Sequence, residues 1–305
     1  MSEDNKKNNK SLAIACASGS FKGAFAHGVL SGLESAGIVA NAYAACSSSV
    51  IPAAWATLGK VNDLGVDYWL AGLRVLGEPD ATMSKVVLGG IESFCPPKQE
   101  LFLPEAPVYF VAASAVVTPE AESETQGEKA KRLGRKLLVS AGKKDRSWVD
   151  KNLRLEIFSS KNIVNLSKYS NNVIINELNS NNFGEVAYAS SRMLHGWEIP
   201  AWIEGKPYVD ASYTCLCPVI EMVEAGYQRV IAISNEPGIL SRDMFGLEEI
   251  PENYRSADIH IVRPDMSSTE FGVDFTSATP SGLSAFYQHG IEKAEDVAAK
   301  LEMLV

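Results

Sequence analysis

Three short segments of this sequence combine side chains and spacing that suit acyl transfer. The first, Ser18-Gly19-Ser20-Phe21-Lys22-Gly23, follows an apolar run and opens a helical pattern. Small residues there leave backbone N–H groups free to face a ligand, and the helix N-terminus adds positive potential. Such a loop binds a phosphate or holds an oxyanion. No Gly-Lys-Ser/Thr closes it, which excludes a GxxxxGK[ST] phosphate loop and leaves the oxyanion hole as the better reading. The second segment, Ala45-Cys46-Ser47-Ser48-Ser49, sets a serine between strand and helix with small residues two places to either side. That is the size pattern of a nucleophile elbow, although a serine-rich helix N-cap has the same composition. In the third, Lys206-Pro-Tyr-Val-Asp210-Ala-Ser212, an apolar stretch delivers an aspartate into a loop. Alone Asp210 reads as a turn or cap residue; after an oxyanion loop and a serine elbow it becomes a candidate base.

Other reactive side chains are few. Of the four histidines, His27 falls in a helix and His260 in a strand, where packing accounts for both; His195 is the alternative base. The five cysteines are odd in number and form no pair of CxxC units, so they read as buried thiols. No metal site and no organic cofactor are expected, and the chain reads as cytoplasmic and reduced.

Each of the three loops needs a strand to deliver it, because open α/β sheets build sites at strand ends. Leu12–Cys16 is a buried strand entering the first loop. Phe25, Val29, Leu30 and Leu33 then share one helical stripe as far as Gly37. Residues Ile38 to Ala45 read as a strand, Val50 to Leu58 as a helix, and Asp63 to Leu76 as another with Val66, Trp69, Leu70 and Leu73 inward. Val108–Val117 is the most strand-like run and belongs centrally; Asn152–Phe158 alternates and suits a half-buried strand nearer an edge. Pro218–Ala225 reads as a helix, Gln228–Ser234 and Ile259–Arg263 as further strands. Ser281 is placed as N-cap of a C-terminal helix to about Leu304, burying Leu283, Phe286, Ile291, Val297 and Leu301. Parallel strands joined by crossover helices make a three-layer α/β/α fold with a central, mostly parallel sheet.

Composition narrows the function classes. The 305 residues carry 28 basic and 37 acidic side chains, a formal charge of -9, and 46% are hydrophobic. A hydrophobic share of that size supports a packed core, and the acidic balance argues against a nucleic-acid partner. Residues 1–10 are polar and read as a disordered tail ahead of one domain, 11–305. The uncharged stretch Ser35–Gly59 is broken by Gly37, Asn41, Ser47–Ser49 and Pro52, which suits a strand-turn-helix and not a membrane span. A basic insertion occupies about 120–151: Glu128 to Lys151 holds nine basic residues against three acidic ones. It reads as a solvated insertion or as a patch, Lys129 to Lys151, making peripheral contact with anionic lipid.

Taken together, the three loops resemble the patatin-like phospholipase family. The first loop is similar to its G-G-G-x-[RK]-G motif, with Lys22 and Gly23 kept; the elbow to G-x-S-x-G, with Ser47 as nucleophile; the third to D-G-G/A, with Asp210 as base. Gly28-Val29-Leu30 with Leu33-Glu34, Ala189-Ser190-Ser191 and Gly226 to Ile231 fall where that family has matching segments, so the likeness spans about Leu12 to Ser234. Serine or alanine replaces family glycines at Ser18, Ser20, Ala45, Ser49, Ala211 and Ser212, and Leu194 stands where proline is usual. The resemblance implies hydrolysis of lipid acyl esters, phospholipid or lysophospholipid, through an acyl-serine intermediate. Ser47 and Asp210 would form the dyad, the N–H groups of Gly19 and Ser20 the oxyanion hole, and Ser18, Lys22 and Gly23 the supporting loop. Trp69, Phe94, Phe102 and Trp197 are candidate apolar covers. Acyl transfer to another acceptor, or a catalytically silent lipid- or partner-binding module, are the alternatives.

Overall fold

The computed structural model describes residues 12–162 and 173–302. Strand β1 (Leu12–Cys16) turns through the loop at 17–22 into helix α1 (Gly23–Ser35), and β2 (Ala42–Ala45) turns at Ser47 into α2 (Val50–Thr57). Four helices follow before the next strand: α3 (Val61–Leu64), α4 (Asp67–Leu76), α5 (Met83–Ser93) and α6 (Lys98–Leu101). Strand β3 (Val108–Val116) leads to α7 (Pro119–Thr125), α8 (Ala130–Gly142) and α9 (Ser147–Asn152), then to β4 (Leu153–Ser159) and β5 (Ile174–Glu177). After the helix Phe183–Ser190, the hairpin β6 (Ala201–Ile203)–β7 (Lys206–Val209) delivers Asp210. The helix Val219–Glu224, β8 (Arg229–Ile233), β9 (Asn253–Tyr254), β10 (Ala257–Val262) and the C-terminal helix Pro280–Glu302 complete the chain.

The main sheet runs β5-β4-β3-β2-β1-β8-β10-β9, and β7 adds to β3 at Ser114 and Ala115. The pairs β2–β3, β1–β2, β1–β8 and β8–β10 are parallel, which aligns the ends of β1, β2 and β8 on one edge. Side-chain alternation along β1 separates two cores: Ile14 and Cys16 pack on one face, Ala13 and Ala15 on the other. Both faces are covered by helices, hence three layers. Helix α1 seats tightly on the C-terminal helix because both carry glycine at the crossing. A Cβ on Gly28 would lie 1.9 Å from the Tyr287 carbonyl oxygen, and one on Gly290 2.2 Å from that of Phe25.

Several expectations are corrected. The strand expected over 38–45 spans only Ala42–Ala45, because Gly37 turns at φ 71° and Asn41 bonds sideways to Leu12. The expected helix 63–76 is two helices, broken at Gly65 with φ 56°. Strand β4 is buried and not half-buried: its polar Glu156 is 1% exposed and accepts hydrogen bonds from Arg154, Asn176 and Tyr208. Thr279, not Ser281, caps the C-terminal helix: its Oγ1 accepts from the Gly282 N–H at 3.0 Å, and Pro280 takes the first helical position. The basic segment is helical and its basic side chains at 129–144 are exposed, while its apolar face packs inward. Helix α8 buries Ala130, Leu133 and Leu137, the leucines contributing about 2 kcal/mol each, and a Cβ on Gly134 would lie 2.3 Å from the His195 nitrogen. The 1–10 tail and the Leu301 side chain lie outside the described residues.

Candidate active site

Ser47 sits where β2 meets its helix, in a left-handed backbone conformation with φ 53°. A residue bearing a Cβ loses about 1–2 kcal/mol there, so the elbow is held by its surroundings. The Ser47 N–H donates to Ser190 Oγ at 2.8 Å, and that hydroxyl donates on to the Ala112 carbonyl of β3 at 2.7 Å. Ser49 Oγ donates to the Ala17 carbonyl at 2.7 Å, tying the elbow to the oxyanion loop. The neighbouring Cys46 thiol does not compete as a nucleophile, since complete burial pushes its pKa well above the ordinary value.

Asp210 arrives on β7, whose antiparallel pairing with the end of β3 points the following loop at the elbow. Ser47 Oγ donates to Asp210 Oδ2 at 2.9 Å. The other carboxylate oxygen accepts from the Ser212 N–H at 2.8 Å and the Ser212 hydroxyl at 2.6 Å. Ser114 Oγ, on β3, donates to the Asp210 carbonyl at 2.8 Å and fixes the main chain. Asp210 is 1% exposed, and burial raises its pKa to about 6 against the opposing hydrogen bonds from Ser212 and Ser47. A buried carboxylate oriented by three donors and poised near neutrality suits a general base.

The oxyanion loop closes the site. Among the described residues the N–H groups of Gly19 and Ser20 make no hydrogen bond, while the Ser18 N–H donates to the Leu216 carbonyl at 2.9 Å. The loop is clamped by Asn235, at the end of β8. Its Nδ2 donates to the carbonyls of Ala17 and Ser18 at 2.8 and 3.1 Å, and its Oδ1 accepts from Ala26 at 3.1 Å. Lys22 pairs with Glu236, and a Cβ on Gly23 would come 2.7 Å from Ser48 Oγ. The two free N–H groups do not border one common space. Ser20, at φ 51°, lines a pocket with Ser47, whereas Gly19 lines a second pocket with Ser212. The left-handed turn at Ser20 separates them.

The remaining candidates divide. Trp69 and Trp197 line the Ser47 pocket; Phe94 packs on Tyr68 and Phe102 on Phe183 instead. His195 stacks on Phe275, and burial with Arg135 nearby lowers its pKa; it makes no hydrogen bond to Ser47 or Asp210 among the described residues. His27 is buried and lowered to about 4 by desolvation, hence neutral, and accepts from Trp69 Nε1 at 3.0 Å. Sequence reasoning gave no role to Ser190, Ser114 or Asn235. No local signal marked Asn235, whose partners Ala17, Ser18 and Ala26 lie on distant elements. No group of three or more metal-ligating side chains occurs among the described residues. No family model matches the chain, and no curated protein matches it.

Proposed function

We propose that the protein is a serine acyl hydrolase of the patatin-like kind, acting on carboxylic esters of lipid type. The observation that carries this reading is the 2.9 Å hydrogen bond from Ser47 Oγ to a buried Asp210, with the unused backbone donor of Ser20 lining the same pocket as Ser47. Ser47 Oγ attacks the ester carbonyl while its proton passes to Asp210 Oδ2. The developing oxyanion takes the Ser20 N–H, which lines the same pocket as Ser47, a donor worth about 3 kcal/mol in comparable sites. The carbon–oxygen bond to the alcohol then breaks, and the alcohol leaves with the proton from Asp210. Water repeats the sequence on the acyl-serine, and Asp210 is again the base.

Proposed with it are a cytoplasmic location and peripheral contact with anionic lipid. Among the described residues Lys129, Lys131, Arg132, Arg135, Lys136, Lys143 and Lys144 are exposed and form no ion pair, and Leu138 and Val139 are exposed beside them. Arg146 leaves this patch, because Asp150 and Asp243 neutralise it. No helix among the described residues is long and apolar enough to cross a membrane.

The test is hydrolysis of a p-nitrophenyl acyl ester by wild type, Ser47→Ala and Asp210→Asn. The reading expects activity in the first, none in the second and a loss of about 100-fold or more in the third. Wild-type rates in both variants would refute it.

A further inference from the structure

Ser48 directly follows the nucleophile and borders the same pocket as Ser47 and Ser20. Its hydroxyl is sealed from solvent and has no hydrogen-bond partner among the described residues. Other serines around the dyad are engaged. Ser49 Oγ donates to the Ala17 carbonyl, Ser114 Oγ to that of Asp210, Ser190 Oγ to that of Ala112, and Ser212 Oγ to the Asp210 carboxylate. The idle hydroxyl therefore belongs to this side chain and is no general property of the region.

A buried hydroxyl without a partner has given up water and gained nothing in return, so it weakens the fold that carries it. Alanine would fill nearly the same space without that loss. Ser48 Oγ lies over Gly23, where an added Cβ would come 2.7 Å from it and 2.8 Å from Trp69 Cη2. The hydroxyl thus sits where the serine elbow meets the end of the oxyanion loop, the two segments that a substrate carbonyl on Ser47 has to bridge.

Of the two loop donors, Gly19 and Ser20, only Ser20 borders the Ser47 pocket. An oxyanion accepts more than one hydrogen bond, and serine hydroxyls serve beside backbone N–H groups in that role. We propose that Ser48 is a catalytic residue whose hydroxyl is the second oxyanion donor, holding the substrate carbonyl oxygen together with the Ser20 N–H while Ser47 attacks. This rests on the acyl-hydrolase reading above. A turn about the Cα–Cβ bond, from one staggered position to another, carries the hydroxyl from the Gly23 side into the pocket that Ser48 borders. No covalent bond to Ser48 forms or breaks, and its proton stays on Oγ throughout. The substrate oxygen is the partner that this hydroxyl lacks in the free protein.

The experiment measures kcat and KM for a p-nitrophenyl acyl ester on wild type, Ser48→Ala and Ser47→Ala. It adds inhibition by a trifluoromethyl ketone, whose adduct with Ser47 carries an oxyanion, and by the corresponding secondary alcohol, which forms no adduct. Ser48→Ala should lower kcat by about tenfold or more, with KM within about threefold of wild type. The ketone should weaken by the same factor as kcat/KM, while the alcohol binds as before. The denaturant midpoint of Ser48→Ala should equal or exceed that of wild type, which a merely structural serine would not allow. Wild-type kcat in Ser48→Ala, or an equal weakening of ketone and alcohol, would overturn the second donor while Ser47-dependent activity left the dyad intact. Activity surviving in Ser47→Ala, or absent from wild type, would remove the dyad and this donor together.

Discussion

Asp210 concentrates the cost of the site in one side chain. Its carboxyl is 1% exposed and has no cationic partner among the described residues, so burial holds it at about 6 against 3.8 for an ordinary aspartate. The folded state therefore keeps a proton between those two values that the unfolded chain has lost. Stability should fall as pH rises through that window, by at most about 3 kcal/mol, and stay low above it. Activity should run the other way, because the base must be ionised: kcat/KM should climb with pH through about 6 and then level. Asp210→Asn keeps the shape and the acceptor for Ser212. Denaturant unfolding at pH 8 should find it at least as stable as wild type, while its hydrolysis is lost. Ser190→Ala removes the acceptor of the Ser47 N–H and should cost about 1–3 kcal/mol, since that donor is buried, with activity falling too as the elbow loosens. Ser47 and Asp210 were legible in the sequence because small residues bracket the serine and the aspartate follows an apolar stretch. Ser190, Ser114 and Asn235 were not, because each acts across strands whose adjacency only the fold supplies.

At the scale of elements, α1 links stability to chemistry. Its first residue, Gly23, ends the oxyanion loop, and its middle lies against the C-terminal helix with no room at Gly28. Gly28→Val should destabilise by about 3 kcal/mol or more, read by denaturant midpoint, and the rate per folded molecule should drop because the loop shifts with the helix. Helix α8 carries the second prediction at this scale. Each of its exposed cations contributes about 1 kcal/mol near an anionic surface. Co-sedimentation with vesicles rich in anionic lipid should weaken with added salt and with Lys131→Glu combined with Arg135→Glu; binding indifferent to both would contradict the lipid contact. The strands and crossover helices flanking the site could be read from apolar runs and helical stripes. The β6–β7 hairpin could not: its strands are three and four residues long, and Pro207 argues against a strand on local grounds. Helix α8 was legible only on its charged, solvated face; the apolar stripe of Ala130, Leu133 and Leu137 lies between its charges.

For the whole molecule, the parallel order of β2, β1 and β8 sets the loops of Gly19 and Ser47 side by side with Asn235 bracing the first, and the antiparallel pairing of β7 with β3 brings Asp210 to Ser47 from far along the chain. Packing alone gives no reason for a strained serine, a buried carboxylate with no cationic partner among the described residues and the unused Ser20 N–H to converge. The account therefore stands on Ser47 being a nucleophile in the intact protein. The direct measurement is the intact mass after treatment with an alkyl fluorophosphonate on wild type, Ser47→Ala and Asp210→Asn. The account predicts one adduct per wild-type chain, mapped to Ser47, a much slower adduct in Asp210→Asn and none in Ser47→Ala. An unmodified wild-type chain, or an adduct that persists in Ser47→Ala, would contradict it.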